Sequence, residues 1–486
     1  MLARSFFFLL ISEVLYNLSG YIIHSGMGRI LGPTDYGRYA VVITLTTMII
    51  ILIGNGIPTA MSKYLSEVFE KEKGKVPVIK NQAKKLQFFL IGGVTLLFFL
   101  GSPLIARILG DPGLTSLFQI SSLIIPAFAM ASFYFYYYTG IHEFKVQSFL
   151  KILRSVARMV FIVGLAWLYK SSGHAIEGAI VGYALAPLAV FLGAQFFDPF
   201  RRTEPKGTFP VRKLFNYAWP VTFFLIAYEF LVTIDLYLVK GLLKSDYLTG
   251  IYNAAITVGR IPYYLFYALT ILILPAVSKS TADKNHEQTK KLVSESFRLL
   301  FLALMPICLL MSVFAEPIIR IFYSQKFIEA VPPMQVFVFG VGFLTVFYVS
   351  TFILNGAGKV KVPMLISLFG LALNTVLTYF LIQKYALMGA AWGTALTSFF
   401  VMMVALIYVK KYFGYIFSFK SFLKIIGAFF TLAALVWLVP IDGWWFLILG
   451  PLYLSFYLFL LYLVGEIGRQ EWQLLKETLK RKKKDR

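Results

Sequence analysis

Gly178-Ala179-Ile180-Val181-Gly182-Tyr183-Ala184-Leu185 recurs roughly 210 residues later as Gly389-Ala390-Ala391-Trp392-Gly393-Thr394-Ala395-Leu396. Other pairs keep nearly the same offset. Tyr36-Gly37-Arg38-Tyr39-Ala40 is echoed between Tyr247 and Ala254, with Gly250 and Tyr252 aligned on Gly37 and Tyr39. Arg107-Ile108 pairs with Arg320-Ile321, and Gly140, Lys145 and Val146 pair with Gly356, Lys361 and Val362. Pro58 to Lys63 faces Pro275 to Lys279. An internal repeat of this length in a strongly apolar chain points to a transporter built from two similar helical bundles.

The 486 residues are 59% hydrophobic and 14% charged, against about 25% charged in soluble domains. Apolar runs long enough to cross about 30 Å of hydrocarbon recur along the whole chain. Composition therefore predicts an all-α polytopic membrane protein. Arg4 leads into an apolar run without a small-residue cleavage site, so the first span is expected to be retained. The single cysteine, Cys308, lies in an apolar stretch and reads as a small core residue. Four histidines show no metal-ligand spacing, and no Walker loop, dinucleotide fingerprint or nucleophile elbow is present. No cofactor, no metal and no direct ATP hydrolysis are expected.

About fourteen spans are predicted, near 5–27, 39–63, 86–109, 114–137, 148–169, 176–197, 214–239, 250–275, 297–322, 331–355, 362–383, 386–409, 421–440 and 444–465. The domain reading follows: a six-helix lobe over 1–197, a linker over 198–213, a second six-helix lobe over 214–410, two additional helices within 411–465, and a basic tail over 466–486. Six is even, so the lobes share one orientation and are pseudo-symmetric about an axis along the membrane normal.

Connections after even-numbered spans are basic. Lys71, Lys73, Lys75, Lys80, Lys84 and Lys85 follow span two, Arg201, Arg202, Lys206, Arg212 and Lys213 follow span six, and Lys279, Lys284, Lys290 and Lys291 follow span eight. Both termini and these connections are therefore expected in the cytoplasm, in a cell (inner) membrane. The net charge of +23 reads as an orientation signal and as attraction to anionic membrane lipids, not as nucleic-acid binding. The segment 66–85 is expected to lie as an amphipathic helix on the membrane surface.

Ionisable groups inside spans are costly and usually face a cavity or one another. Glu13, Asn17, Gly20 and His24 make one polar stripe on span one, and Glu229, Thr233 and Lys240 repeat its spacing on span seven, with Asp235 nearby. Both stripes are read as lining a cavity between the halves. Arg260, beside Pro262 in span eight, needs an anionic partner: a carboxylate or a substrate phosphate. Arg154 and Arg158, one turn apart on span five, fit either a snorkelled interface or a phosphate-attracting mouth. Asn55, between Gly54 and Gly56, and Pro262 are the candidate hinges. Phe133 to Tyr138 reads as an interfacial aromatic belt, and Gly-Ala-x-x-Gly as a packing face.

Leu31-Gly32-Pro33-Thr34-Asp35-Tyr36-Gly37-Arg38-Tyr39-Ala40, Gly250-x-Tyr252-x-Ala254, Leu274 to Ser280 and Leu387 to Ala395 resemble motifs of the oligosaccharide flippases of polysaccharide biosynthesis. That superfamily also includes multidrug and toxin extrusion antiporters and lipid II flippases. The resemblance implies alternating access and a polyprenyl-diphosphate-linked oligosaccharide as cargo, with glycan polymerase or transferase proteins as partners. It implies no enzyme activity. A cation-coupled drug antiporter, with Glu13, Glu229 and Asp235 as its carboxylates, stays open. A membrane-embedded polymerase or glycosyltransferase is disfavoured by the short outer loops.

Overall fold

A computed structural model describes residues 2–69, 72–201, 203–205, 207–283, 285–359, 361–414, 418–438 and 443–468. Lys71, Arg202, Lys206, Lys284 and the basic tail from 469 onward lie outside the described residues, as does the end of span thirteen. The described residues form helices and no strands. Lipid offers the backbone no hydrogen-bond partners, so an apolar spanning chain must satisfy every N–H and C=O within its own helices. Nine helices among them are long and apolar enough to cross a membrane. Two of the nine are too long for one crossing.

The first of these, Leu2–Val68, would reach about 100 Å as a straight rod, and it reverses at Gly32 (φ 72°, ψ 176°). Only glycine takes that conformation without strain, and Pro33 then opens the next helix with its φ already set. The motif Leu31-Gly32-Pro33 is thus the turn between spans one and two. The second, Lys361–Phe413, breaks at Ala386 (φ 47°, ψ −126°), a region alanine enters only with strain. Ala386→Gly is expected to stabilise the protein by about 1 kcal/mol, read as a higher melting temperature.

The chain divides into two compact units. One holds residues 1–258, 322–333 and 367–394; the other holds 259–321, 334–366 and 395–486. In the first unit, the small-residue repeat is a close-packing face in both copies. A Cβ on Gly182 would strike the Phe161 carbonyl, and one on Gly389 the Leu381 carbonyl. Span five, against which Gly182 packs, is not uniformly α-helical. Phe144–Arg158 gives way to a π-turn at Met159–Val163 and returns to α-helix at Gly164–Leu168. Such turns re-aim the side chains beside them and recur at functional sites.

The aromatic run is core, not belt. Phe133, Tyr134, Tyr137 and Tyr138 are buried with Val76, Ile79, Ala83 and Val190. The cover is residues 75–85, which continue into span three as one helix, Lys75–Ile108. Lys80 pairs with Asp198, Tyr137 donates to the same carboxylate at 2.6 Å, and the ammonium lies 4.7 Å from the Tyr137 ring centroid.

In the second unit, the last two helices, Phe419–Leu438 and Phe446–Leu463, share a core with Leu309 and Phe314. Arg298 Nε donates to Glu466 at 2.8 Å, and the Glu466 side chain is 4% exposed. Removing one member of a buried pair strands the other. Arg298→Met is expected to lower stability by about 3 kcal/mol in a thermal melt.

Candidate functional site

Lys151, Arg154 and Arg158 lie at i, i+3 and i+7 on Phe144–Arg158, which places them on one helix face. That face meets span one at Tyr16. The Tyr16 ring centroid is 4.0 Å from the Arg158 guanidinium carbon, 4.7 Å from that of Arg154 and 5.5 Å from Lys151 Nζ. Arg158 Nε donates to Ser19 Oγ at 2.9 Å, and Nη2 donates to the Tyr16 carbonyl. Gly20 makes this approach possible: a Cβ there would come within 3.2 Å of Nη2. Lys151 pairs with Glu13.

Arg154 is held differently. Its guanidinium sits 4.7, 4.6 and 4.5 Å from the rings of Tyr16, Phe128 and Phe135. It is 5% exposed, and neither Nε nor Nη1 has a hydrogen-bond partner among the described residues. Ring faces attract a cation but do not satisfy its N–H donors. Among the described residues, three cations and the one paired carboxylate leave two positive charges without a counterion in a largely desolvated place. Burying charge without a counterion is expensive, and two forked arginines match the oxygens of a phosphate group. Arg158 is likewise buried, at 8% exposed.

A second cluster lies at the other end of span one. His24 Nδ1 and Tyr323 Oη are each 2.9 Å from Tyr36 Oη, and Asn253 Nδ2 donates to the same oxygen at 2.9 Å. Beside it, Lys240 (2% exposed) pairs with Asp111 at 2.9 Å and also with Asp246, while Arg38 stands 3.6 Å from Asp111 and 3.9 Å from Asp246. The repeat-related glycines meet here. A Cβ on Gly37 would overlap the Asp246 carbonyl and approach Gly250 N; one on Gly250 would overlap the Pro33 carbonyl.

The proposed stripe on span one is therefore split: Glu13 belongs to the basic cluster and His24 to the tyrosine cluster, with Asn17 half-buried between them. On span seven, Lys240 joins the second cluster. Asp235 accepts from Tyr252 and Thr394 at 3.0 Å each, and Thr233 donates to the Glu229 carbonyl of its own helix at 2.6 Å. Arg260 lies in the other unit, at the break between Asp246–Gly259 and Ile261–Ala282, with Pro262 just beyond. Asn55 sits in continuous helix. It donates to the Ile51 carbonyl and accepts from Tyr136 at 2.8 Å. Among the described residues no three His, Cys, Asp or Glu side chains gather as metal ligands. Sequence reasoning missed Lys151, although its spacing to Arg154 and Arg158 was visible. It also missed Tyr16 and Phe128, which in an apolar chain carry no signal of their own, and read Phe135 only as part of the aromatic belt.

The comparisons with known proteins agree on the architecture. The family model described as polysaccharide biosynthesis protein matches residues 2–281, and the model described as MatE matches residues 220–380. A protein of Shigella flexneri named "Putative O-antigen transporter" is 22% identical over 407 residues, covering 79% of this chain and 93% of that protein. An uncharacterized membrane protein of Methanocaldococcus jannaschii is 23% identical over 419 residues, 81% of this chain and 80% of its own. Among solved structures, the lipid II flippase MurJ in an inward closed conformation superposes with a TM-score of 0.75 at 16% identity, over 94% of this chain and 98% of that one. An inward-facing multidrug resistance MATE family transporter reaches 0.70 at 12% identity, over 83% and 94%.

Proposed function

The chain belongs to the polysaccharide biosynthesis protein family, and from that premise we propose that it is a flippase. It carries a polyprenyl-diphosphate-linked oligosaccharide from the cytoplasmic to the outer leaflet of the cell membrane by alternating access. The observation that carries this reading is the basic cluster: two uncompensated charges beside Tyr16 suit a diphosphate diester, which bears two negative charges. The name of the Shigella relative, an O-antigen transporter, supports a glycan-bearing cargo.

In this reading both termini face the cytoplasm, residues 1–197 and 214–410 act as the two moving halves, and a glycan polymerase or transferase receives the product. The tyrosine cluster and the Lys240–Asp111–Asp246–Arg38 group tie residues of both halves together and act as the closed outer gate. Arg260, at its helix break in the other unit, is proposed separately as a phosphate-binding residue. Arg260→Ala is then expected to abolish export without loss of folding, with Arg260→Lys a partial rescue.

A drug antiporter has one supporting observation, the buried Asp235 inside the region that the MatE model matches. A surplus of buried positive charge beside span one argues against cationic cargo. Purified protein in liposomes carrying a polyprenyl-diphosphate oligosaccharide on the inner leaflet discriminates. Appearance of the glycan to an external lectin supports the flippase. No appearance, together with uptake of a cationic dye driven by an ion gradient, supports the antiporter.

A further inference from the structure

Glu13 supplies the carboxylate of the basic cluster. Its carboxylate comes from span one and pairs with Lys151, the outermost of the three cations around Tyr16. The three cations are not equivalent. Arg158 has donors committed to Ser19 and to the Tyr16 carbonyl. Arg154 has two donors that no protein group accepts. Lys151 has a partner that is itself an anion, and an ammonium donates to a carboxylate oxygen or a phosphate oxygen on the same terms.

We propose that Glu13 is a placeholder for the cargo's phosphate: it holds Lys151 while no anion is bound, yields it when a diphosphate enters, and reclaims it to drive release. This rests on the reading of the basic cluster as the diphosphate site. The exposure of the pair gives the direction of movement. The Glu13 side chain is 34% exposed and that of Lys151 is 14% exposed, so the carboxylate has the way out and the ammonium stays. The chemistry gives the reason. Two buried arginines and a half-buried lysine closing on a dianion, with nothing to compete, would hold it too firmly for a carrier that must let go. A tethered carboxylate lowers affinity and speeds dissociation without weakening the site's selectivity for anions. A purely structural pair, fastening span one to span five, predicts the reverse: losing Glu13 would loosen the cluster and weaken binding.

The test uses the full-length protein in nanodiscs and radiolabelled farnesyl diphosphate as the probe. Glu13→Gln is expected to tighten binding about tenfold or more, chiefly through slower dissociation. Arg154→Gln is expected to weaken it about tenfold or more. Unchanged or weaker binding by Glu13→Gln, while Arg154→Gln still weakens it, overturns the placeholder and leaves the diphosphate site standing. Binding that is indifferent to Arg154→Gln overturns the site and the placeholder together. If Glu13→Gln does not fold, Glu13→Ser carries the same expectation.

Discussion

Gly250→Ala is expected to abolish export and to lower stability by about 3 kcal/mol or more. The added methyl would lie far closer than 3.0 Å to the Pro33 carbonyl oxygen, with Gly37 N at 3.0 Å behind it. Those are backbone atoms, so no rotamer change relieves the overlap, and two helices must move apart. Gly37→Ala meets the Asp246 carbonyl in the same way and carries the same expectation. Gly92 and Gly93 are the internal controls. Both are helical, and a methyl group added at either would have nothing within 4 Å of it. Alanine there is expected to raise stability by roughly 0.5–1 kcal/mol. Thermal melts of the four variants check the claim, and a similar small effect at all four positions would refute the close approach.

Arg154→Met is expected to separate function from stability. A buried guanidinium with two unsatisfied donors weakens the fold, and an apolar side chain of similar length is neutral to about 4 kcal/mol more stabilising. The same change removes the donors with which a diphosphate would be bound. Export should fall at least a hundredfold, a loss on the order of 3 kcal/mol in cargo binding, while the melting temperature holds or rises. Arg158→Met should lose export and stability together, because its donors already serve Ser19 and the Tyr16 carbonyl. Equal destabilisation by both substitutions would mean that Arg154 is structural.

Helical class was legible because hydrocarbon imposes one solution on an apolar chain, and each predicted stretch falls mainly on helix where the structure describes it. The repeat motifs were legible as packing, since small residues at fixed spacing have few other uses in lipid. The close approach of Gly37 and Gly250 was not, because offset says which residues correspond but not which of them touch. The polar stripes were found as residues, but the partners of each residue were not legible. Glu13 and His24 share a helix face, yet are eleven residues apart, about 16 Å along the axis, far enough to serve different clusters. The aromatic run misled because Phe and Tyr at the end of a span suit an interface belt as well as a core, and only the cover by residues 75–85 decides between them.

Cells depleted of the protein offer the plainest observation: the leaflet on which the polyprenyl-linked oligosaccharide accumulates, and its mass. Full-length carrier-linked glycan retained on the cytoplasmic leaflet, restored to the outer leaflet by the wild-type chain and not by Arg154→Met, is the predicted result. Normal sidedness of that glycan in depleted cells would contradict the flippase assignment.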